Sequence, residues 1–212
     1  MDKDLYPTRN ILSIDLKSFF ASCECIARGL DPFKFPLVVA NPDQGGGAIT
    51  LAVTPYLKKQ GVPSRGRIFE IPKNIDYIVA KPRMKKYIEY SANIYAIYLK
   101  YIDKNDIHVY SIDEVFMDVT DYLKTYAVSA RELTMKIILD VLNNTYGITA
   151  TVGIGPNLFL AKVALDISAK HKASNIAYLD EETFKETLWD HTPLSDFWQI
   201  GRGIQNRLAK YN

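Results

Sequence analysis

The sequence predicts an α+β fold: a βαββαβ core of the ferredoxin-like arrangement, interrupted by a self-contained insertion. Three observations lead there. Short apolar, β-branched runs alternate with segments of helical spacing along most of the chain. Residues 29–80 are broken by Gly and Pro into short pieces that stand outside that alternation. A strand–turn–strand unit, His108–Tyr110 and Val115–Val119, frames the tetrad Ser111-Ile112-Asp113-Glu114.

Taken in order, residues 10–16 read as a buried strand, and residues 18–28 as a helix with Phe19, Phe20, Cys23 and Ala27 at helical spacing. Gly29 and Asp31-Pro32 stop that helix. Within the insertion, residues 35–40 and 49–54 read as strands, 55–60 as a short helix stopped by Gly61 and Pro63, and 77–80 as a further strand. Gly45-Gly46-Gly47 lacks the following Gly-Lys-Ser/Thr of a phosphate loop and reads as a flexible turn. The longest helical pattern covers residues 84–101, with Tyr87, Ser91, Ile94, Tyr98 and Tyr101 near one stripe. After the strand pair come a helix over 126–143, a strand over 148–154, a helix over 156–169 and a strand over 176–179. Residues 193–211 read as two short helices around Gly201-Arg202-Gly203.

Composition excludes several classes. The 212 residues are 48% hydrophobic and 24% charged, ordinary for a globular protein. No apolar run reaches the roughly 18 residues of a membrane span and no signal-peptide pattern opens the chain, so a cytoplasmic protein with no membrane partner is expected. Cys23 and Cys25 sit one residue apart, a spacing that rarely bridges, and read as reduced thiols. The net charge of +2 hides a division. Residues 58–100 hold ten Lys/Arg against three Asp/Glu, whereas residues 103–121 hold six Asp/Glu against Lys104 alone. A basic stretch beside an acidic cluster suits a polyanionic substrate held near metal ions.

Asp113 and Glu114 are adjacent carboxylates at a strand junction, and like charges that close raise each other's pKa unless a cation holds them. A divalent metal is the usual remedy. In the ferredoxin-like topology the first strand lies beside the strand pair, so Asp15, in Ile11-Leu12-Ser13-Ile14-Asp15-Leu16, can converge on the same sheet end.

Four segments now carry a resemblance. Residues 13–22 (Ser-Ile-Asp-Leu-Lys-Ser-Phe-Phe-Ala-Ser), residues 110–118 (Tyr-Ser-Ile-Asp-Glu-Val-Phe-Met-Asp), Thr151–Asn157 with Leu160–Ala164, and Ile200-Gly201-Arg202-Gly203 resemble, in order, the conserved segments of Y-family translesion DNA polymerases. The wording Asp-Leu-Lys-Ser-Phe-Phe is most like the UmuC-like bacterial branch. The resemblance implies a palm from residues 1–28 and 81–180, an inserted small fingers domain over 29–80 and the beginning of a helical thumb over 181–212. Such polymerases continue into a little-finger domain, so the chain reads as an N-terminal fragment, weakly active or inactive alone.

The implied activity is template-directed, Mg²⁺-dependent transfer of a deoxynucleotide to a primer 3′-hydroxyl past damaged template, as in SOS mutagenesis. Asp15, Asp113 and Glu114 would hold two Mg²⁺ ions, with the backbone carbonyl of Leu16 completing one site. Phe20 would be the steric gate that excludes a 2′-hydroxyl. The amides of Ser18 and Phe19, together with Lys58 and Lys162, would meet the triphosphate. Lys58 stands where the family favours Arg, keeping the charge but losing the bidentate fork, and Pro55 stands where Tyr is common. Gly201 and Gly203 would offer backbone amides to a DNA phosphate. Expected partners are primer–template DNA, a dNTP and a replication clamp or recombinase reached through the C-terminal region. The competing reading is a catalytically inactive DNA- or partner-binding repair subunit.

Overall fold

The structure, a computed structural model, describes residues 8–211. In chain order the strands are β1 (Ile11–Leu16), β2 (Leu37–Val39), β3 (Ala52–Val53), β4 (Ile78–Ala80), β5 (Ile107–Val109), β6 (Glu114–Asp118), β7 (Ala150–Gly155) and β8 (Ile176–Tyr178). The α-helices are α1 (Phe19–Ile26), α2 (Pro55–Lys59), α3 (Met84–Tyr98), α4 (Thr120–Tyr126), α5 (Ala130–Thr145), α6 (Leu158–Val163), α7 (Glu181–Leu188) and α8 (Arg202–Leu208). They fall into two compact units. One comprises the described residues up to Asp15, Lys100–Ile137 and the chain from Ala150 onward; the other comprises Leu16–Leu99 and Ile138–Thr149.

The first unit is built on a five-stranded sheet in the order β5-β6-β1-β7-β8. Its first four strands have the ferredoxin-like order expected, and β8 is added parallel to β7. β1 and β6 run antiparallel with Asp15 opposite Glu114, Ser13 opposite Phe116 and Ile11 opposite Asp118. Because side chains alternate along a strand, those six residues share one face. On that face Ile11, Phe116 and Ala161 of α6 form a small core against which Trp198 packs.

Glycine decides how closely α6 approaches the sheet. A Cβ on Gly153 would overlap the Ala161 carbonyl oxygen and the Leu165 amide, and one on Gly155 would stand 2.6 Å from the Ala161 amide. The Asn157 side chain caps α6, accepting from the Leu160 amide at 2.9 Å. The helix continues through a π turn, Ala164–Ser168, which carries Asp166. Leu160, Val163, Ala164, Ala177, Leu179, Leu188 and Phe197 bury a second cluster.

The second unit contains the three-stranded sheet β3-β2-β4, with Val38, Val53, Leu57, Val62 and Ile71 as its core. In the same unit α1 and α3 are tied through Glu24, whose side chain is wholly buried. It accepts from Arg83 Nε at 2.9 Å and Nη2 at 2.6 Å, from the Tyr87 hydroxyl at 2.8 Å, and from Arg28.

Two helices were not expected. The helix read over residues 126–143 is α5, whereas α4 before it was not foreseen; Ala127, at φ 51°, separates the two. Ser129 restarts the helix through a capping box: Glu132 N–H donates to Ser129 Oγ at 3.2 Å, and Ser129 N–H donates to Glu132 Oε2 at 2.8 Å. α7 follows Asp180, whose side chain accepts from the Thr183 amide at 2.8 Å. Of the two short helices expected over 193–211, the first is a single 3-10 turn, Leu194–Asp196, and the second is α8.

Candidate active site

The β1–β6 register that places Asp15 beside Glu114 also brings Asp113 close, because Asp113 is the last residue of the turn entering β6. That turn is closed by Glu114, whose carbonyl oxygen accepts from the amides of Tyr110 and Ser111, both at 3.0 Å. Ser111 Oγ–H donates to Asp113 Oδ1 at 2.8 Å and fixes its carboxylate. Burial first, then the charges of Asp113 and Glu114, push the Asp15 carboxyl up to about 6, against the lowering pull of Lys170 and Lys162. Asp15 thus feels both the anionic charges of Asp113 and Glu114 and the cationic charges of Lys170 and Lys162.

The cation in contact with Glu114 is Lys162 of α6. Its Nζ stands 2.7 Å from Glu114 Oε1 and 3.1 Å from Asp166 Oδ2. Glu114 Oε1 is buried, and the Lys162 ammonium is the charge that compensates it. Burial opposes the ammonium charge, yet Glu114 and Asp166 outweigh it and hold the Lys162 pKa above its ordinary value. Asp166 also pairs with Lys170 at 2.8 Å. Sequence reasoning missed Asp166; its i, i+4 spacing from Lys162 was the available signal.

Among the described residues no three Asp, Glu, His or Cys side chains stand close enough together to hold a metal ion. The donors fit one chemically. They are all hard oxygens, and burial with the charges of Asp113 and Glu114 keeps the Asp15 carboxyl raised despite Lys170 and Lys162. Leu16 ends β1 directly after Asp15.

Ser18, Phe19, Phe20 and Lys58 belong to the second unit. Ser18 precedes α1 with φ 48° and gives it no side-chain cap, leaving the first-turn amides to other acceptors. The half-buried Phe20 ring stacks on Tyr87 with centroids 4.5 Å apart and planes 15° apart. Tyr87 is itself buried and pinned by Glu24, a support the sequence reading did not register. Lys58 lies exposed in the last turn of α2. Gly201 and Gly203 are exposed at the start of α8. The two cysteines are buried and form no disulfide, and burial pushes the Cys25 thiol up to about 11. Among the described residues no helix is long and apolar enough to cross a membrane.

Residues 14–166 match the model of the impB/mucB/samB family. UvrX of Bacillus subtilis (strain 168), whose name assigns it provisionally to UV-damage repair, is 34% identical over 211 residues, covering 99% of this chain and 49% of that protein. DNA polymerase IV 2 of the same organism is 32% identical over 206 residues, covering 94% and 47%. The insertion ternary complex of Dbh DNA polymerase superposes with a TM-score of 0.77 at 25% identity, over 96% of this chain and 58% of that one. The chain therefore spans about half the length of the curated relatives it matches.

Proposed function

We propose a function from one fact: the chain belongs to the impB/mucB/samB family, the Y-family DNA polymerases. It carries the palm, the fingers and the start of the thumb of a translesion polymerase that adds a deoxynucleotide to a primer 3′-hydroxyl opposite damaged template. The palm is residues 1–28 and 81–180, the fingers 29–80, and the thumb begins at 181. The observation that carries this reading is the β1–β6 register, which sets Asp15 against Glu114 with Asp113 next to it and Lys162 over the same face.

Asp15, Asp113, Glu114 and the Leu16 carbonyl are the ligands for two Mg²⁺ ions. Bound there, the metal would lower the pKa of the primer hydroxyl and offset charge on the triphosphate. The uncapped amides at Ser18 and Phe19 and the cations Lys58 and Lys162 take the triphosphate oxygens. Phe20, backed by Tyr87, presents a fixed ring to the sugar and excludes a 2′-hydroxyl. Gly201 and Gly203 offer amides to a DNA phosphate. The protein acts in the cytoplasm on primer–template DNA and a dNTP, with a replication clamp or recombinase as a further partner.

The Lys162–Glu114 pair favours a second reading, an inactive DNA- or partner-binding repair subunit. Primer extension separates the two. The chain joined to the C-terminal half of the Bacillus subtilis relative should extend a primed template with Mg²⁺ and dNTPs. Asp113→Ala should abolish extension and leave DNA binding intact. Extension by the alanine form at the unmodified rate defeats the metal assignment, and no extension by either form favours the inactive subunit.

A further inference from the structure

Lys162 is held between two carboxylates of different standing. Glu114 lies on the sheet, at the site already described; Asp166 lies one helical turn further along Lys162's own segment. The Lys162 side chain is only 8% exposed and Glu114 only 12%. Its backbone is set tightly against β7 by the clearance that Gly153 and Gly155 provide. The ammonium therefore has two close anionic stations and little open water between them.

We propose that Lys162 is a built-in counter-ion for Glu114, which a divalent cation displaces onto Asp166, making Asp166 a positioning residue for metal entry. The inference rests on the reading of Glu114 as a metal ligand and goes beyond it. A divalent ion arriving at Glu114 repels the ammonium, since like charges that close are costly. Without Asp166 the ammonium would leave its only partner for a poorly solvated position, and metal binding would have to supply that loss. With Asp166 already 3.1 Å away, the exchange trades two contacts for one good one. Lys170, 2.8 Å from Asp166 Oδ1, holds the receiving carboxylate in place. Glu114 Oε1, 2.7 Å from the Lys162 ammonium, is the oxygen released.

The test is Mn²⁺ binding to this chain, read by electron paramagnetic resonance of free Mn²⁺, in the unmodified chain and in Lys162→Met, Asp166→Asn, the double variant and Asp113→Ala. Removing the ammonium removes one charge-assisted contact from the competition, so Lys162→Met should bind Mn²⁺ on the order of tenfold more tightly. Asp166→Asn alone should weaken binding. The decisive comparison is Asp166→Asn in the Lys162→Met background, where it should have no effect, because there is no ammonium left to receive. An equal loss in both backgrounds means that Asp166 acts only through its own charge, and overturns the proposal. So does unchanged affinity in Lys162→Met. If Asp113→Ala binds as tightly as the unmodified chain, the metal assignment itself fails; if Asp113→Ala weakens binding while Lys162→Met changes nothing, only the counter-ion exchange fails. A measurement on the unmodified sequence guards against misfolded variants. With ¹³Cε-labelled lysine, Mg²⁺ should shift the Lys162 resonance, identified by its loss in Lys162→Arg, and a resonance that stays still through saturation overturns the exchange.

Discussion

Replacing Glu24 by Gln should uncouple α1 from α3 and loosen the Tyr87 ring on which Phe20 stacks. The Glu24 carboxylate is wholly buried and takes three charge-assisted bonds, two from Arg83 and one from Arg28, besides the Tyr87 hydroxyl at 2.8 Å. Gln keeps one oxygen for Tyr87 and Arg83 Nε, but it turns an NH₂ group toward the remaining guanidinium donors. Breaking a fully buried pair costs about 3–5 kcal/mol. The Arg83 and Arg28 side chains, 45% and 35% exposed, can recover part of their hydration, so about 3 kcal/mol is expected here. For a chain of 212 residues that lowers the melting temperature by roughly 6–12 °C. Acid should erase the difference. Burial alone would raise the Glu24 pKa, but Arg83, Arg28 and Tyr87 hold it below the ordinary 4.5. A depressed carboxylate contributes stability that is present above its unfolded pKa and lost as pH falls through its folded one. Thermal melts followed by circular dichroism at pH 7, and then stepwise below pH 4.5, measure both effects. A variant that melts within a degree of the unmodified chain at pH 7, or a gap that persists unchanged into acid, refutes the argument. In the chimeric polymerase the same substitution should reduce discrimination against ribonucleotides, since Phe20 stacks on the ring that Glu24 holds.

Two further outcomes follow from the first unit. Gly153→Ala should destabilise the chain by about 3 kcal/mol in urea unfolding, because its Cβ meets backbone of Ala161 and Leu165 that cannot rotate away; a loss under 0.5 kcal/mol would show that α6 does not lie that close. Asp15→Asn, assayed in a metal chelator, should stabilise the chain at pH 7.5. Raising a carboxyl from 3.8 to about 6 is worth at most about 3 kcal/mol against the ionised form. That stability is present below the unfolded pKa and lost as pH rises through the folded one, so the advantage of Asn should vanish below pH 4. Equal stability of the two chains at pH 7.5 contradicts it.

The core was legible because each of its strands is a short apolar run and its helices carry a clear stripe. β1 and the β5–β6 pair could be placed side by side from the βαββαβ element order alone. Polar signals that apolar periodicity does not weigh would have sharpened the reading: Ser129-x-x-Glu132 marks where α5 starts, and Asp180 ahead of Glu181-Glu182 marks the unexpected α7. The break at Ala127 had none, since a left-handed alanine is stabilised by its surroundings rather than by its own residue type. At the site, the carboxylates were visible as residue types, but the Lys162–Glu114 pair joins residues far apart in sequence and depends on the clearance at Gly153 and Gly155. Glu24 escaped notice because a glutamate on a short helix reads as a solvated face until Arg83 and Tyr87 are seen around it.

Crystals of this chain soaked with Mn²⁺ and a deoxynucleoside triphosphate, with data collected at the manganese absorption edge, address the central claim directly. The account predicts anomalous peaks bounded by Asp15, Asp113 and Glu114, with the Lys162 ammonium moved off Glu114. A bound nucleotide with no manganese at those three carboxylates, and Lys162 still on Glu114, would contradict it.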